Sequence, residues 1–175
     1  MKTIDELVSL VNDWAKEKGI HEKGNEKVQL LKTHEELGEL ISAHINKDTE
    51  LKKDSVGDIL VTLINATWFD KQEVENVDFS IIFKFAYQKD GIKKLVEENS
   101  ETDSNEILAI LSNILIDMLF ERKYYGLALT AFLININMYC YLENIDSLEC
   151  LEIAYNTISK RTGHMDSNGQ FVKDK

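Results

Sequence analysis

The chain has 175 residues, enough for one domain with a sizeable core and too few for two full ones. Apolar residues make up 43% and charged residues 29%, which excludes a disordered chain. The net charge is -11 and no run of basic residues tracks along the sequence, which argues against a general nucleic-acid binder. Proline is absent and glycine is sparse, at 8. That composition favours long unbroken helices over a turn-rich β sandwich or barrel. Cys140 and Cys150 are too few for a disulfide framework and lack zinc-site partners, so they read as free thiols in a reducing cytoplasm. Acidic residues stand where a signal peptide needs a basic start. No uninterrupted apolar stretch approaches the ~18 residues of a membrane span, so none is expected.

A first helix is predicted over residues 3–18. Thr3 caps it, Glu6 completes a capping box, and Gly19 ends it. Leu7, Val8, Leu10, Val11 and Trp14 fall at helical spacing. Residues 19–25, with two glycines, read as a loop. A second helix runs from 26 to 46 and a third from 51 to 69. The acidic stretch 70–78 is a connection, and 79–97 reads as one helix. Residues 98–105 are a polar break, followed by helices over 105–122, 126–143 and 147–161. Asp166-Ser167-Asn168-Gly169 is a turn signal between short apolar runs, so the tail forms a small hairpin. The expectation is a single all-α domain of six or seven helices spanning 1–175.

Two helices carry the chemistry-bearing acids. On the second, Glu39 lies about 40° from Glu35 and about 60° from Glu36, so the three share one side, opposite Leu30, Leu31, Leu37, Ile41 and Ile45. Taken alone, this is the wet face of an amphipathic helix. On the third, Asp54 and Asp58 are separated by about 40°, and Val61 and Asn65 continue the same face. Val56, Ile59, Leu60, Leu63 and Ile64 cover most of the remaining circumference, so this helix is largely buried. Asp58 is then a carboxylate in an apolar helix, which is costly unless it is paired or bound to a metal. Carboxylate oxygens from two antiparallel helices suit a hard ion such as Mg²⁺ or Mn²⁺. His34 points toward the apolar side as a core histidine, and His21 and His164 are loop residues with no evident partner.

The runs Trp14-Ala15-Lys16-Glu17-Lys18-Gly19-Ile20, Gln29-Leu30-Leu31-Lys32 and Glu35-Glu36-Leu37-Gly38-Glu39-Leu40 resemble the MazG-like branch of the all-α nucleoside triphosphate pyrophosphohydrolases. Asp54-Ser55-Val56-Gly57-Asp58 is similar to the second acidic motif, in a form found in phage and Firmicute members. The segments Cys150–Asn156, Lys160–Gly163 and Asn168–Lys173 resemble the end of the same proteins. The resemblance implies an antiparallel helical bundle that hydrolyses a (d)NTP between the α and β phosphates, giving a monophosphate and pyrophosphate. It implies Glu35, Glu36, Glu39 and Asp58 as the catalytic set. It makes Glu36, Glu39 and Asp58 ligands for Mg²⁺ or Mn²⁺, and Glu35 a ligand or a positioner of water. The family pattern has Glu where this chain has Ser55, and Asp54 stands one residue earlier as the available fourth ligand.

Phosphates also need positive charge. Lys32 lies one turn before Glu36, and Lys160 and Arg161 close the last helix, with Asn156 on the same face as Lys160. Together with Trp14, which could stack on a base, and Gln29, these are the candidate substrate-binding residues. The resemblance further implies a homodimer or homotetramer. The main departure is an insertion at about 70–130, which either covers the acidic groove, replaces part of an oligomer interface, or decorates the far side. The alternative function is a nucleotide-sensing or partner-binding protein on the same fold, with catalysis weakened at the second acidic motif.

Overall fold

The computed structural model describes residues 2–73, 77–120, 125–169 and 171–174, without the side chains of 71–73. Among them are nine helices and one two-stranded hairpin. The helices are α1 (Ile4–Glu17), α2 (Ile20–Lys23), α3 (Glu26–Ile45), α4 (Thr49–Glu73), α5 (Phe79–Ala86), α6 (Lys89–Glu98), α7 (Ser104–Phe120), α8 (Tyr125–Leu142) and α9 (Ser147–Ile158). The strands are β1 (Gly163–Met165) and β2 (Phe171–Lys173).

The all-α expectation holds, with more helices than six or seven. The segment 19–25 contains a helical turn, because Gly19 adopts φ 77° and redirects the chain into α2. The run 79–97 is two helices, broken where Tyr87 turns its hydroxyl to Asp146 at 2.7–2.8 Å. α4 is longer at both ends than its apolar pattern. Asp48 caps it by accepting from the Leu51 N–H at 3.0 Å, and no proline or glycine lies between Gly57 and Glu73 to stop it. The last helix ends at Ile158, so Lys160 and Arg161 lie just beyond it. The Thr3–Glu6 capping box on α1 forms as expected. So does the tail hairpin, antiparallel with His164 opposite Val172. The Gln170 of that motif lies outside the described residues.

The α3–α4 pairing is the most extensive helix contact, followed by α4–α9 and α7–α8. Leu30, Leu37 and Leu40 of α3 and Ile59, Leu60, Leu63 and Ile64 of α4 are buried in the core. Within it, the Thr33 hydroxyl donates to Thr62 Oγ1 at 2.9 Å, which aligns the two helices at the level of the acids. Leu31 and Ile45, expected on the buried face, are 56% and 71% exposed. The seam follows Leu30, Thr33, Leu37 and Leu40, and residue 31 sits about 100° away from residue 30.

α4 meets α9 backbone to backbone at Gly57. A Cβ there would lie 2.4 Å from the Cys150 carbonyl oxygen, so only glycine permits this approach. α8 contacts α5, α6, α7 and α9. By length and composition it could cross a membrane, with mean hydropathy 1.3 over 18 residues, but half of that stretch is buried inside the fold. Its Phe132, Leu133, Ile136 and Tyr139 are wholly buried. Truncating Phe132 to Ala would cost about 3–5 kcal/mol. At its C-terminal end Glu143 accepts from Lys52 at 2.6 Å and from Ser104 at 2.5 Å, tying α4 and α7 to α8. Cys140 and Cys150 are both buried free thiols.

Candidate functional site

A pocket of about 150 Å³ lies where α3, α4 and the chain after α9 converge, closed by α1 and β2. Its charged lining is Lys32 and Glu36 from α3, Asp58 from α4, Arg161, and Lys173 from β2. Gln29, Thr62 and Asn65 add uncharged polar groups, and Trp14, Ile20 and Phe171 are among its apolar residues. Asp58, Val61, Thr62 and Asn65 reach it together because they follow one stripe of α4. Phe171 meets the Trp14 ring edge-on, with centroids 5.9 Å apart. Gly169, at φ 77°, sits so close to the Lys23 carbonyl that a Cβ would lie 2.8 Å from its oxygen. That contact seats the hairpin tip against α2 and brings Phe171 and Lys173 over the pocket.

The electrostatics are uneven. Lys32 donates to Glu35 at 2.5 Å and approaches Glu36 at 3.6 Å. Arg161 lies 3.9 Å from Asp58, a loose pairing. The Glu36 side chain is only 12% exposed. Burial pushes its carboxyl up to about 7, and the charges of Asp58, Glu39 and Glu35 push the same way against Lys32. Burial also raises the Asp58 carboxyl, with Asp54 and Glu39 adding to it and Arg161 and Lys173 opposing it. Two partly buried acids thus stay raised, chiefly by burial, although three cations line the same pocket.

Six of the predicted residues line this pocket: Trp14, Gln29, Lys32, Glu36, Asp58 and Arg161. Glu35, Glu39 and Asp54 are exposed and stand outside it, although their charges still act on Glu36 or Asp58. Asn156 and Lys160 are exposed and do not line it. Ser55 is buried, and its Oγ has no hydrogen-bond partner among the described residues. Among the described residues no group of three or more His, Cys, Asp or Glu side chains converges as a metal cage. Mg²⁺, however, commonly takes only one or two protein carboxylates, completing its shell with waters and substrate phosphates. Glu36 and Asp58 are two such carboxylates, and a positive charge beside them would offset the burial that raises both.

Thr62, Phe171 and Lys173 were not singled out as site residues in the sequence. Thr62 follows from the Asp58–Asn65 stripe, whereas Phe171 and Lys173 depend on the hairpin folding back. His21 has partners after all: its ring stacks on Trp68 and its Nε2 lies 3.3 Å from Asn65 Oδ1. None of the pocket's described lining comes from residues 70–130. The insertion instead supplies Tyr87, Lys89 and Ile92 to a second, larger recess of about 610 Å³ against α8 and α9. Compared with protein-family models, curated protein sequences and solved structures, the chain matches none of them.

Proposed function

We propose that the chain is a Mg²⁺-dependent nucleoside triphosphate pyrophosphohydrolase of the MazG-like kind, with Mn²⁺ as an alternative ion. The observation that carries this reading is Glu36 and Asp58 on facing helices, both with raised affinity for a proton, in a pocket also lined by Lys32, Arg161 and Lys173. Acids so placed are unfavourable for the bare fold, and a cation-bearing ligand relieves them. Glu36 and Asp58 would hold the ion, with Glu39 and Asp54 nearest in charge. The bound ion would neutralise triphosphate charge and favour attack at phosphorus.

The remaining work falls to the chain. Lys32, Arg161 and Lys173 bind and orient the phosphates. The oxygen of a water adds to the α phosphorus, and the bond from that phosphorus to the bridging oxygen breaks. Pyrophosphate leaves, and a carboxylate of the Glu35, Glu36 and Glu39 set accepts the water's proton. Trp14 and Phe171 supply an apolar wall for the base. A homodimer or homotetramer belongs to the same reading.

The test is product analysis by ion-exchange chromatography with the eight common NTPs and dNTPs, plus Mg²⁺ or Mn²⁺. Monophosphate and pyrophosphate should form, with at least a 100-fold loss in Asp58→Asn and Glu36→Gln. Products other than that pair, or equal turnover in both variants, would sink the enzyme reading. A second reading, a sensor that binds without turnover, draws on Ser55, a buried hydroxyl at the position where the family pattern has an acid. Nucleotide binding with no product would favour it.

A further inference from the structure

The chain has 31 acids for 20 lysines and arginines, so a cation on this surface rarely lacks a carboxylate. Among the described residues, six lysines nevertheless make no ion pair: Lys16, Lys23, Lys27, Lys47, Lys160 and Lys173. All six are exposed. Five of them stand on the segments that frame the acid pocket. Lys173 lines it. Lys27 and Lys160 immediately precede the lining residues Val28 and Arg161. The charge of Lys16 opposes protonation of His21, whose ring contacts Asn65 of the lining. Lys23 meets the hairpin tip, with its carbonyl against Gly169. Only Lys47 lies elsewhere, in the turn between α3 and α4.

Local stability explains them only in part. Lys16 and Lys23 sit in the last turns of α1 and α2, where a cation suits the helix dipole. Lys27 sits in the first turn of α3, where the dipole opposes it. Lys16, Lys23, Lys27 and Lys160 do not line the pocket, so what they add there is a field rather than a contact. The exposed acids Glu35 and Glu39 lie farther along α3. Lys27 precedes Glu35 by eight residues, about 12 Å of helix, so the two signs of charge are separated along it.

We propose that Lys16, Lys23, Lys27 and Lys160 form a capture surface for polyphosphate anions, which draws the phosphate end of a metal–nucleotide complex toward Lys32, Arg161 and Lys173. They are steering residues and touch no reacting atom. Their effect belongs to the association rate, where a field of this kind is worth roughly 10- to 1,000-fold. A cation held in a surface ion pair contributes less to such a field, because its partner cancels it at a distance. This proposal rests on the nucleotide reading of the same pocket.

The test follows association rather than turnover. Stopped-flow tryptophan fluorescence reports binding, since Trp14 lines the pocket, and the ligand is the α,β-methylene triphosphate of adenosine with Mg²⁺. The wild-type association rate should fall at least tenfold between ~0.01 M and ~1 M salt, as the screening length shrinks from about 30 Å to about 3 Å. Replacing Lys16, Lys23, Lys27 and Lys160 together by Gln should remove at least tenfold of the low-salt rate, leave dissociation within about threefold, and match wild type at ~1 M salt. Lys47→Asn removes an equally unpaired cation at a left-handed residue that Asn tolerates, and should leave the rate unchanged. An unchanged low-salt rate in the fourfold variant, with product still formed by wild type, would overturn the capture surface and leave the pyrophosphohydrolase standing. So would a loss confined to dissociation, or an equal loss in Lys47→Asn, which would make net charge the cause. A salt-sensitive rate that the variant loses, with no product from wild type, would support the capture surface and sink the enzyme reading. Absence of nucleotide binding would overturn both.

Discussion

Two recesses among the described residues make opposite use of their acids. The larger one, about 610 Å³ between the α5–α6 corner and α8–α9, contains Asp146. That carboxylate accepts from the Tyr87 hydroxyl, from Lys89 at 2.9 Å, and from the N–H groups of Leu148 and Glu149. Burial pushes its proton affinity up, but the bonds from Tyr87, Lys89 and Glu149 outweigh burial and hold it below the usual value. It is a helix cap and a brace for the insertion. The smaller pocket holds Glu36 and Asp58, both shifted the other way. Volume therefore points to one recess and uncompensated charge to the other. Charge is the better guide here, because a satisfied carboxylate has nothing left to offer a ligand.

The largest effect should come from the residue that joins the two. Gly57→Ala forces a Cβ against the Cys150 carbonyl and Ala154, so α9 must move away from α4. A loss of ~3 kcal/mol or more is expected in urea unfolding, with disturbance at both recesses. An unchanged midpoint would show that α9 is not clamped there.

Asp146→Ala should cost about 2–3 kcal/mol, from the lost cap and the lost bonds to Tyr87 and Lys89. Nucleotide turnover should not change. Because the folded carboxyl sits below its unfolded value, its contribution is present above pH ~4 and fades as pH falls through the folded value. The wild-type and variant unfolding curves should therefore converge in acid. Curves that stay parallel down to pH 2 would contradict the ionic brace.

Glu36→Gln should act with the opposite sign. The folded Glu36 carboxyl sits at about 7 against an ordinary 4.5. Its favourable contribution is thus full below about pH 4.5 and is lost as pH rises through 7. Without divalent ions, the variant should be more stable than wild type at pH 8, by about 1–3 kcal/mol. The two should match near pH 4.5. Mg²⁺ should raise the wild-type melting temperature more at pH 8 than at pH 5.5, and should do little for the variant. A Mg²⁺ response that survives in Glu36→Gln would remove this residue from ion binding.

The smallest effect belongs to Glu35→Gln. Its pairing with Lys32 is exposed, so unfolding should shift by no more than ~0.5 kcal/mol. A larger loss of turnover than of stability would assign Glu35 to the chemistry rather than to the surface.

Much of this was legible in the chain itself. The Thr3–Glu6 box, the apolar stripe of α1 and the turn before β2 are local patterns, and each appears where its residues predict it. The acids of α3 and α4 were legible as pairs, because spacing on a helix sets which side chains share a face. What spacing could not reveal is which of three clustered glutamates is buried. Glu35 and Glu39 remain in water while Glu36 turns inward, and the rotation of α3 against α4 along Leu30, Thr33, Leu37 and Leu40 makes that choice. The break at Tyr87 was equally hidden, since its cause, Asp146, is 59 residues away.

By itself, then, the sequence determined the helical class, the caps and the candidate acids, because helix periodicity and capping act within a few residues. Only the tertiary structure decided that Phe171 and Lys173 close the pocket, that His21 holds Asn65, and that the insertion builds a different recess. Those contacts join residues 44 or more positions apart, and burial and charge at such contacts depend on how the helices pack, which no local pattern encodes.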